Sequence, residues 1–486
     1  MRRLLAMLLI GSLALAAPGC KQQPQGTPRA VVIGGDPKVR DPALGPLQPA
    51  DAVLLANVAQ GLVRFDASGD IVGGLAERWN VSDDGLSYIF RIASTQWPDG
   101  RKVTAQQVAR LLKRQLTSRS RNTLKDAAGA IEDVVAMTDR VVEIQLLAPR
   151  PTLLSLLAQP EFAILNGSQG TGPFKAAPSS GRPGELRLSR EIVNEDDETT
   201  TRDEVLLAGA APADAISAFA TARADLVLGG TFNDLPLTRK FKLPRGALRF
   251  DPASGLLGLV PVRSSGAIAN PEMRQMLSQA LDRAGFVAAL GVPDLAARAT
   301  LLQPGLDGTP DPAVPAWFGV PPAARLPALQ QQADRLFGKT KRVISVALPE
   351  GYGADILYHS LVHDWGALGI TVIRTGDAKN ADFALIDEVA PSASPSWFVR
   401  QFRCGEVPIC DSQADALMEA ARLMPVPAQR YALLAQAAAR IDDAQLFLPI
   451  TAPVRWSLVS SRIQDFAGNR YASHTLTDLD QQVGKE

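Results

Sequence analysis

Residues Gly61–Lys113 are GLVRFDASGDIVGGLAERWNVSDDGLSYIFRIASTQWPDGRKVTAQQVARLLK, in which short runs of β-prone residues alternate with turn signals. The runs are rich in Val, Ile, Tyr, Phe and Trp, and the turn signals between them are Asp66–Gly69, Asp83–Gly85 and Pro98–Gly100. A helix is predicted next, because Thr104 and Gln107 have the spacing of a capping box. Its apolar face is formed by Val108, Leu111, Leu112 and Leu116. The segment therefore predicts a β-meander that leads into a helix.

Helix and strand patterns alternate along the rest of the chain. Val142, Ile144 and Leu146 alternate with polar residues, which predicts a half-buried strand. Asn270 followed by Pro271 predicts the start of a helix. Downstream, the predicted elements are a strand at Val343–Leu348, a helix at about Ala354–Leu368, strands at Ile370–Arg374 and Ala381–Asp387, and helices at Ser412–Leu423 and Pro427–Ile441. A strand, a helix and a second strand in this order predict a parallel pair, so the fold class is α/β with mixed sheets.

The first twenty residues have the features of an export signal. Two arginines precede the apolar run Leu4–Ala17, which is too short to span a bilayer and is followed by small residues up to Cys20. Residues 1–19 are therefore predicted to be a cleaved signal peptide. The four residues that end at Cys20 resemble a bacterial lipobox, which predicts lipidation of Cys20 and a flexible tether at residues 20–29. An ordinary signal peptide, in which Cys20 has no role, is the alternative.

Composition and charge exclude several classes of function. Removal of residues 1–19 takes away two of the 50 basic residues and none of the 50 acidic ones, which leaves a net charge of about −2. No basic stripe or aromatic-rich basic surface is present, so a nucleic-acid partner is not expected. The remaining chain is long enough to form at least two domains.

An enzyme is not expected, although a secreted hydrolase is a possible class for an α/β chain of this length. The chain contains three histidines and no G-x-S-x-G motif. His359 and His363 have a spacing that could place both on one metal ion. However, the apolar residues of this predicted helix lie on its opposite side, so the two histidines are predicted to be solvated and no metal site is expected.

Several segments resemble one protein family. Residues 61–66 (GLVRFD), 74–92 (GLAERWNVSDDGLSYIFRI), 97–100 (WPDG) and 103–114 (VTAQQVARLLKR) are similar to the N-terminal signature of the oligopeptide-, dipeptide- and nickel-type extracytoplasmic solute-binding proteins of ABC importers, which form bacterial solute-binding protein family 5. GTGPF, at the end of a glycine-rich loop, and residues 270–286 (NPEMRQMLSQALDRAGF) resemble further segments of the family.

The resemblance implies a two-lobed fold of the type II periplasmic-binding-protein class, with mixed sheets, a hinge and a β-rich N-terminal subdomain. Lobe I is expected to comprise residues 30–261 together with 450–486, and the β-rich subdomain would span about residues 45–165 of it. Lobe II is expected to comprise residues 262–449. The chain would cross between the lobes near Leu256–Val262 and near Pro449–Val454, and these two crossings would form the hinge.

The family also implies a function. A lipid-anchored monomer in the periplasm or cell envelope would capture a small organic solute, with a short peptide as one candidate, and deliver it to an ABC transporter permease without a cofactor. A sensor or envelope adaptor with the same fold, independent of a transporter, is the alternative, and a secreted hydrolase is the third class. Closure of the two lobes on the solute would be the mechanism.

The resemblance indicates candidate ligand-binding residues. Gln60 matches an acidic position of the family, and Thr171 lies in its GTGPF segment. In peptide-binding members a carboxylate captures the α-amine of the ligand, but Pro391 occupies that position in this chain. Asp387 and Glu388 are the neighbouring candidates for the same role, and Trp397 is a candidate for stacking on the solute. A surface turn for the two carboxylates and a core position for the tryptophan are the alternatives.

Cys404 and Cys410 form an isolated pair separated by five residues. Outside the cytoplasm such a pair favours a disulfide that closes a small loop, and related binding proteins often have a disulfide in this part of the chain. A metal site and a redox-active pair are the alternatives. No nearby histidine or third cysteine supports the first, and the spacing differs from the C-x-x-C of the second.

Overall fold

The computed structural model describes residues 26–193, 199–338, 340, 342–464, 466–477 and 479. The predicted signal peptide and Cys20 lie outside these residues, as does the tether up to residue 25, so these assignments stay predictions. Within the described part of the chain, no helix is long and apolar enough to cross a membrane.

The strands and helices occupy most of the described chain. The strands are β1 (Arg29–Ile33), β2 (Val63–Phe65), β3 (Ile71–Gly73), β4 (Ala76–Val81), β5 (Ser87–Ile92), β6 (Ile131–Thr138), β7 (Val141–Leu146), β8 (Lys175–Pro178), β9 (Leu186–Val193), β10 (Thr200–Ala210), β11 (Leu226–Thr231), β12 (Leu248–Phe250), β13 (Gly255–Pro261), β14 (Arg342–Ala347), β15 (Ile370–Thr375), β16 (Phe383–Val389), β17 (Leu448–Thr451) and β18 (Arg455–Val459). The helices are α1 (Pro49–Val58), α2 (Ala105–Leu116), α3 (Leu153–Leu157), α4 (Pro212–Ala220), α5 (Pro271–Ala280), α6 (Arg283–Leu290), α7 (Pro322–Phe337), α8 (Tyr352–Gly366), α9 (Pro395–Arg400), α10 (Ser412–Leu423) and α11 (Pro427–Asp443).

The first large sheet is built from both ends of the chain. Its strand order is β12-β18-β11-β1-β10-β9-β8, with β1 parallel to β10 and β11 and the other pairs antiparallel. Strand β18 lies next to β11, although some 220 residues separate them in sequence. The C-terminal part of the chain therefore completes the N-terminal lobe.

The second large sheet contains the predicted βαβ unit. Its strand order is β15-β14-β16-β13-β17, and β14 and β15 are parallel and joined by α8. This confirms the strand, helix and strand predicted there. Helix α5 begins at Pro271 after the predicted cap, because the Asn270 side chain accepts a hydrogen bond from the Glu272 N–H.

The β-rich region has a sheet and a core of its own. Strands β4-β5-β7-β6 form an antiparallel sheet, and β2 and β3 form a separate hairpin. Helix α2 packs on this sheet and starts with the predicted capping box, in which Thr104 and Gln107 exchange hydrogen bonds. Val108 and Leu112 of the predicted apolar face are buried, while Leu111 and Leu116 are partly buried against the same core. We propose that this region is the β-rich subdomain.

The chain crosses between the two large sheets twice. The first crossing lies at residues 251–254, because β12 belongs to the first sheet and β13 already pairs with β16 of the second. The predicted crossing at Leu256–Val262 is therefore wrong by several residues: that segment is a strand of the second sheet. The second crossing lies at residues 452–454, between β17 and β18, within the segment predicted for it. We propose lobe boundaries at these two linkers.

Candidate functional site

An ion pair joins the two large sheets beside the crossings. Asp387 lies on β16 and Arg455 on β18, and their Oδ1 and Nη1 atoms are 2.8 Å apart. Arg455 Nη2 also donates to the backbone oxygen of Asp387. Burial raises the pKa of the Asp387 carboxyl, and the Arg455 guanidinium opposes that rise. Asp387, predicted as a ligand for an amine, therefore already has a cationic partner within the protein.

The neighbouring Glu388, in contrast, has no partner for its carboxyl group among the described residues. Its side chain is exposed, and within the described residues it has no hydrogen bond or ion pair. Nevertheless, the surrounding protein raises the pKa of Glu388, and the charge of Asp387 raises it further. Of the two predicted carboxylates, Glu388 is the one open to a ligand.

Gln60 and Thr171 lie together in the first lobe. Gln60 Nε2 donates to the Thr171 backbone oxygen at 2.9 Å, so the amide group is used to hold the glycine-rich loop. Gly172 N–H donates to the Val58 oxygen at the end of α1, and a Cβ atom on Gly172 would be 2.4 Å from the Val58 carbonyl carbon. The glycine is required by this close approach. The recess beside Gln60 is small, with a volume of about 20 Å³.

A larger cavity of about 260 Å³ lies between the β-rich region and the second lobe. One wall comes from residues 123–156 and the other from residues 392–406. Trp397, at the first turns of α9, borders this cavity, but only 7% of its surface is exposed and its ring packs against Phe398. Leu153 and Leu156 add apolar surface, and the hydroxyl-bearing residues of the lining are Thr123, Thr152, Ser392, Ser394 and Ser396.

Direct contacts close the cavity at its edges. Gln159 Nε2, from the β-rich side, donates to the Pro391 oxygen at 2.9 Å. Pro391 is the residue that replaces the expected amine-binding carboxylate, and here its carbonyl connects the two walls. Arg403 lies 3.3 Å from Asp126 of the opposite wall. The two walls are therefore held together by polar contacts that a movement of the lobes would break.

The predicted disulfide borders the same cavity. The Cys404 and Cys410 sulfur atoms are bonded, with Cα atoms 5.1 Å apart. The Cys404 N–H donates to the Asp415 carboxylate, which connects the loop to α10. Arg403 and Glu406, which line the cavity, lie in and beside this loop. The cross-link restricts the part of the chain that carries these charges.

The predicted site residues do not form one cluster. Gln60 and Thr171 contact each other, Asp387 binds Arg455, and Trp397 alone of the five lines the larger cavity. His359 and His363 are exposed on α8, as predicted. Arg150 and Arg400 line the cavity from opposite walls, and neither was predicted from the sequence as a site residue. A signal was available in the WFVRQFR segment, where two arginines follow the predicted aromatic residue.

Comparison with known proteins gives the family. Residues 70–382, more than half of the chain, match the model of the bacterial extracellular solute-binding proteins, family 5 Middle. The chain belongs to this family. This chain is 24% identical over 463 residues to the probable di/tripeptide-binding protein 5 of Pseudomonas aeruginosa. The match covers 84% of this chain and 87% of that protein.

Solved structures support the two-lobed fold of this family 5 protein. The Haemophilus influenzae OppA complex with RPPGFSPFR superposes with a TM-score of 0.80 at 16% identity, covering 94% of this chain and all of that one. The murein tripeptide binding protein MppA of Escherichia coli superposes with a TM-score of 0.78 at 16% identity, covering 92% of this chain and 97% of that one. At such identities the likeness establishes the fold, and the predicted fold class is confirmed.

Proposed function

We propose that this protein captures a small organic solute, with a short peptide as the leading candidate, and delivers it to the permease of an ABC importer. Membership of a family of extracellular solute-binding proteins supports capture outside the cytoplasm. The similarity to the probable di/tripeptide-binding protein of Pseudomonas aeruginosa supports a peptide as the solute. Cys20 is proposed as the lipid anchor and residues 20–29 as the tether, on the strength of the lipobox-like sequence.

The cavity between the β-rich region and the second lobe is the observation that carries this proposal. Its walls come from parts of the chain with separate hydrophobic cores, so they can move apart as bodies. The polar contacts between its two sides include those of Gln159 with the Pro391 oxygen and of Arg403 with Asp126. A solute that contacts both walls would bind the closed state more tightly than the open state and would therefore favour closure. The solute would be released without chemical change.

Native mass spectrometry of the protein purified from its own envelope tests the proposal. We expect a retained small molecule that is released on denaturation, with the same exact mass before and after prolonged incubation with the protein. Small-angle scattering should show a smaller radius of gyration when the released molecule is added back to the stripped protein. Conversion of the molecule would indicate a hydrolase, and the absence of any bound molecule together with an unchanged radius would contradict solute capture.

A further inference from the structure

Five arginines surround the cavity and the side compartment that continues from it, and two of them have acidic partners. They are Arg150, Arg400, Arg403, Arg422 and Arg430. Arg403 is 3.3 Å from Asp126 and 3.0 Å from Glu406, and Arg422 pairs with Glu419 on the surface of α10. The charges of these two arginines are therefore compensated within the protein.

The other three have no acidic partner within 4.0 Å among the described residues. Arg150 donates to the backbone oxygens of Pro149 and Arg422, both at 2.9 Å. Arg430 is 4% exposed, and its Nη1 donates to the Pro149 oxygen at 2.6 Å. Its Nη2 is buried without a hydrogen-bond partner in the described part of the protein, although it belongs to a residue that lines the side compartment. An unpaired buried guanidinium N–H is costly, so this donor indicates a missing acceptor.

Arg400 makes the fewest polar contacts of the three. It lies at the end of α9 and lines both the cavity and the side compartment, and within the described residues its guanidinium has neither a hydrogen bond nor an ion pair. Ser394 and Ser396 line the same two spaces. A guanidinium presents a planar set of donors that matches an oxyanion, and the serine hydroxyls can complete the coordination of such a group.

The electrostatics of the site also favour an anionic ligand. Burial, together with the nearby charges of Arg430, Arg400 and Arg422, lowers the pKa of Arg150 to about 10. Burial also lowers the pKa of Arg400, and the charges of Arg403 and Arg422 add to that effect, whereas Asp126 and Glu419 oppose it. Cations that are buried and repel one another favour binding of an anion, because an anion offsets both costs.

We propose that the cavity binds an oxyanion group of the solute, a carboxylate or a phosphate, and that Arg400 is the guanidinium that contacts it. Arg150 contributes positive charge from the opposite wall of the cavity and Arg430 from the side compartment, and Trp397 with Leu153 and Leu156 covers the apolar part of the solute. This inference rests on the proposed function and specifies the class of solute: an anionic molecule, such as a peptide with an acidic side chain, a dicarboxylate or a phosphorylated small molecule.

Calorimetric titration of stripped protein with matched pairs of probes tests the inference. The pairs are N-acetyl-Asp amide with N-acetyl-Asn amide, succinate with succinamide, and glycerol 3-phosphate with glycerol. We expect at least one charged member to bind about tenfold or more tightly than its neutral partner, which is the effect of one charge-assisted interaction. The first two pairs report a carboxylate and the third a phosphate. Equal binding within every pair, or no binding of any charged probe at millimolar concentration, would overturn the inference.

Variants assign the effect to Arg400. Arg400→Gln should reduce the preference for the charged member by about tenfold, and Arg400→Lys, which keeps the charge, should restore part of it. Arg440→Gln is the matched control, because Arg440 pairs with Asp411 on the surface of the adjacent α11, and it should keep the preference within about twofold. Each variant is first compared with the parent by its melting temperature. An unchanged preference in folded Arg400→Gln would refute the assignment.

The two proposals can fail separately. A retained solute that carries no anionic group, found by native mass spectrometry, would leave solute capture standing and remove the inference about charge. A protein that binds no solute at all would remove both.

Discussion

At the scale of single residues, the ion pair of Asp387 and Arg455 is a connection between the lobes. Both side chains are 16% exposed, and each lies on a strand of a different sheet. Asp387→Ala leaves the Arg455 guanidinium half-buried with only backbone acceptors, so we expect it to lower the free energy of unfolding by about 2 kcal/mol. Urea denaturation followed by circular dichroism measures this change.

A surface pair provides the comparison for Asp387→Ala. Glu419 pairs with Arg422 on α10, but 58% of the Glu419 side chain is exposed. Because water solvates both charges after truncation, Glu419→Ala should change the free energy of unfolding by less than about 0.5 kcal/mol. Equal effects of the two substitutions would show that the Asp387 pair does not hold the lobes together.

At the scale of elements, α2 shows how strongly local sequence can determine an end of a helix. The Thr104 side chain accepts a hydrogen bond from the Gln107 N–H, and the Gln107 side chain accepts one from the Thr104 N–H. Thr104→Ala removes the first of these bonds, and we expect a loss of about 1 kcal/mol in the free energy of unfolding. Thermal unfolding monitored by circular dichroism is the measurement.

Ser118→Ala is the matched control for the cap. Ser118 is exposed just beyond the end of the same helix, so its substitution should change stability by less than about 0.5 kcal/mol. A Thr104→Ala protein as stable as the Ser118→Ala protein would mean that the packing of α2 on the β-rich sheet, and not the cap, determines where the helix begins.

At the scale of the whole molecule, the proposed attachment to the membrane depends on a single residue. Cys20→Ala removes the only thiol near the end of the predicted signal peptide, so we expect the protein to move from the membrane fraction to the soluble envelope fraction. Cell fractionation followed by immunoblotting measures the change, and Lys21→Ala, which keeps the thiol, should remain membrane-bound. Recovery of both variants in one fraction would contradict a lipid anchor at Cys20.

The whole molecule also determines the shape of the candidate site. The cavity exists because the β-rich region and the helices after β16 meet, although more than 200 residues separate them in sequence. Two short linkers, at residues 251–254 and 452–454, connect the large sheets. A binding protein of this construction can change the size of its cavity without changing the structure of either wall.

The sequence by itself determined the local elements and the family. Turn signals, apolar periodicity and capping residues act over a few positions, so the meander, α2, α5 and the βαβ unit could be predicted from them. The resemblance of several segments to family 5 extended the prediction from these elements to a two-lobed fold. The predicted first crossing was misplaced, because an apolar strand such as Gly255–Pro261 has the same local pattern in either sheet, and only its partner β16 assigns it.

Only the tertiary structure decided which polar groups are bound within the protein and which are open to a ligand. Asp387 and Gln60 were reasonable candidates by position, but the fold gives each a partner within the protein, Arg455 and the Thr171 oxygen. The WFVRQFR segment places Arg400 close to a predicted aromatic residue, but only the fold shows that it lines a cavity without an acidic partner among the described residues. Local patterns specify backbone conformation, whereas the state of a charge depends on groups that are distant in sequence.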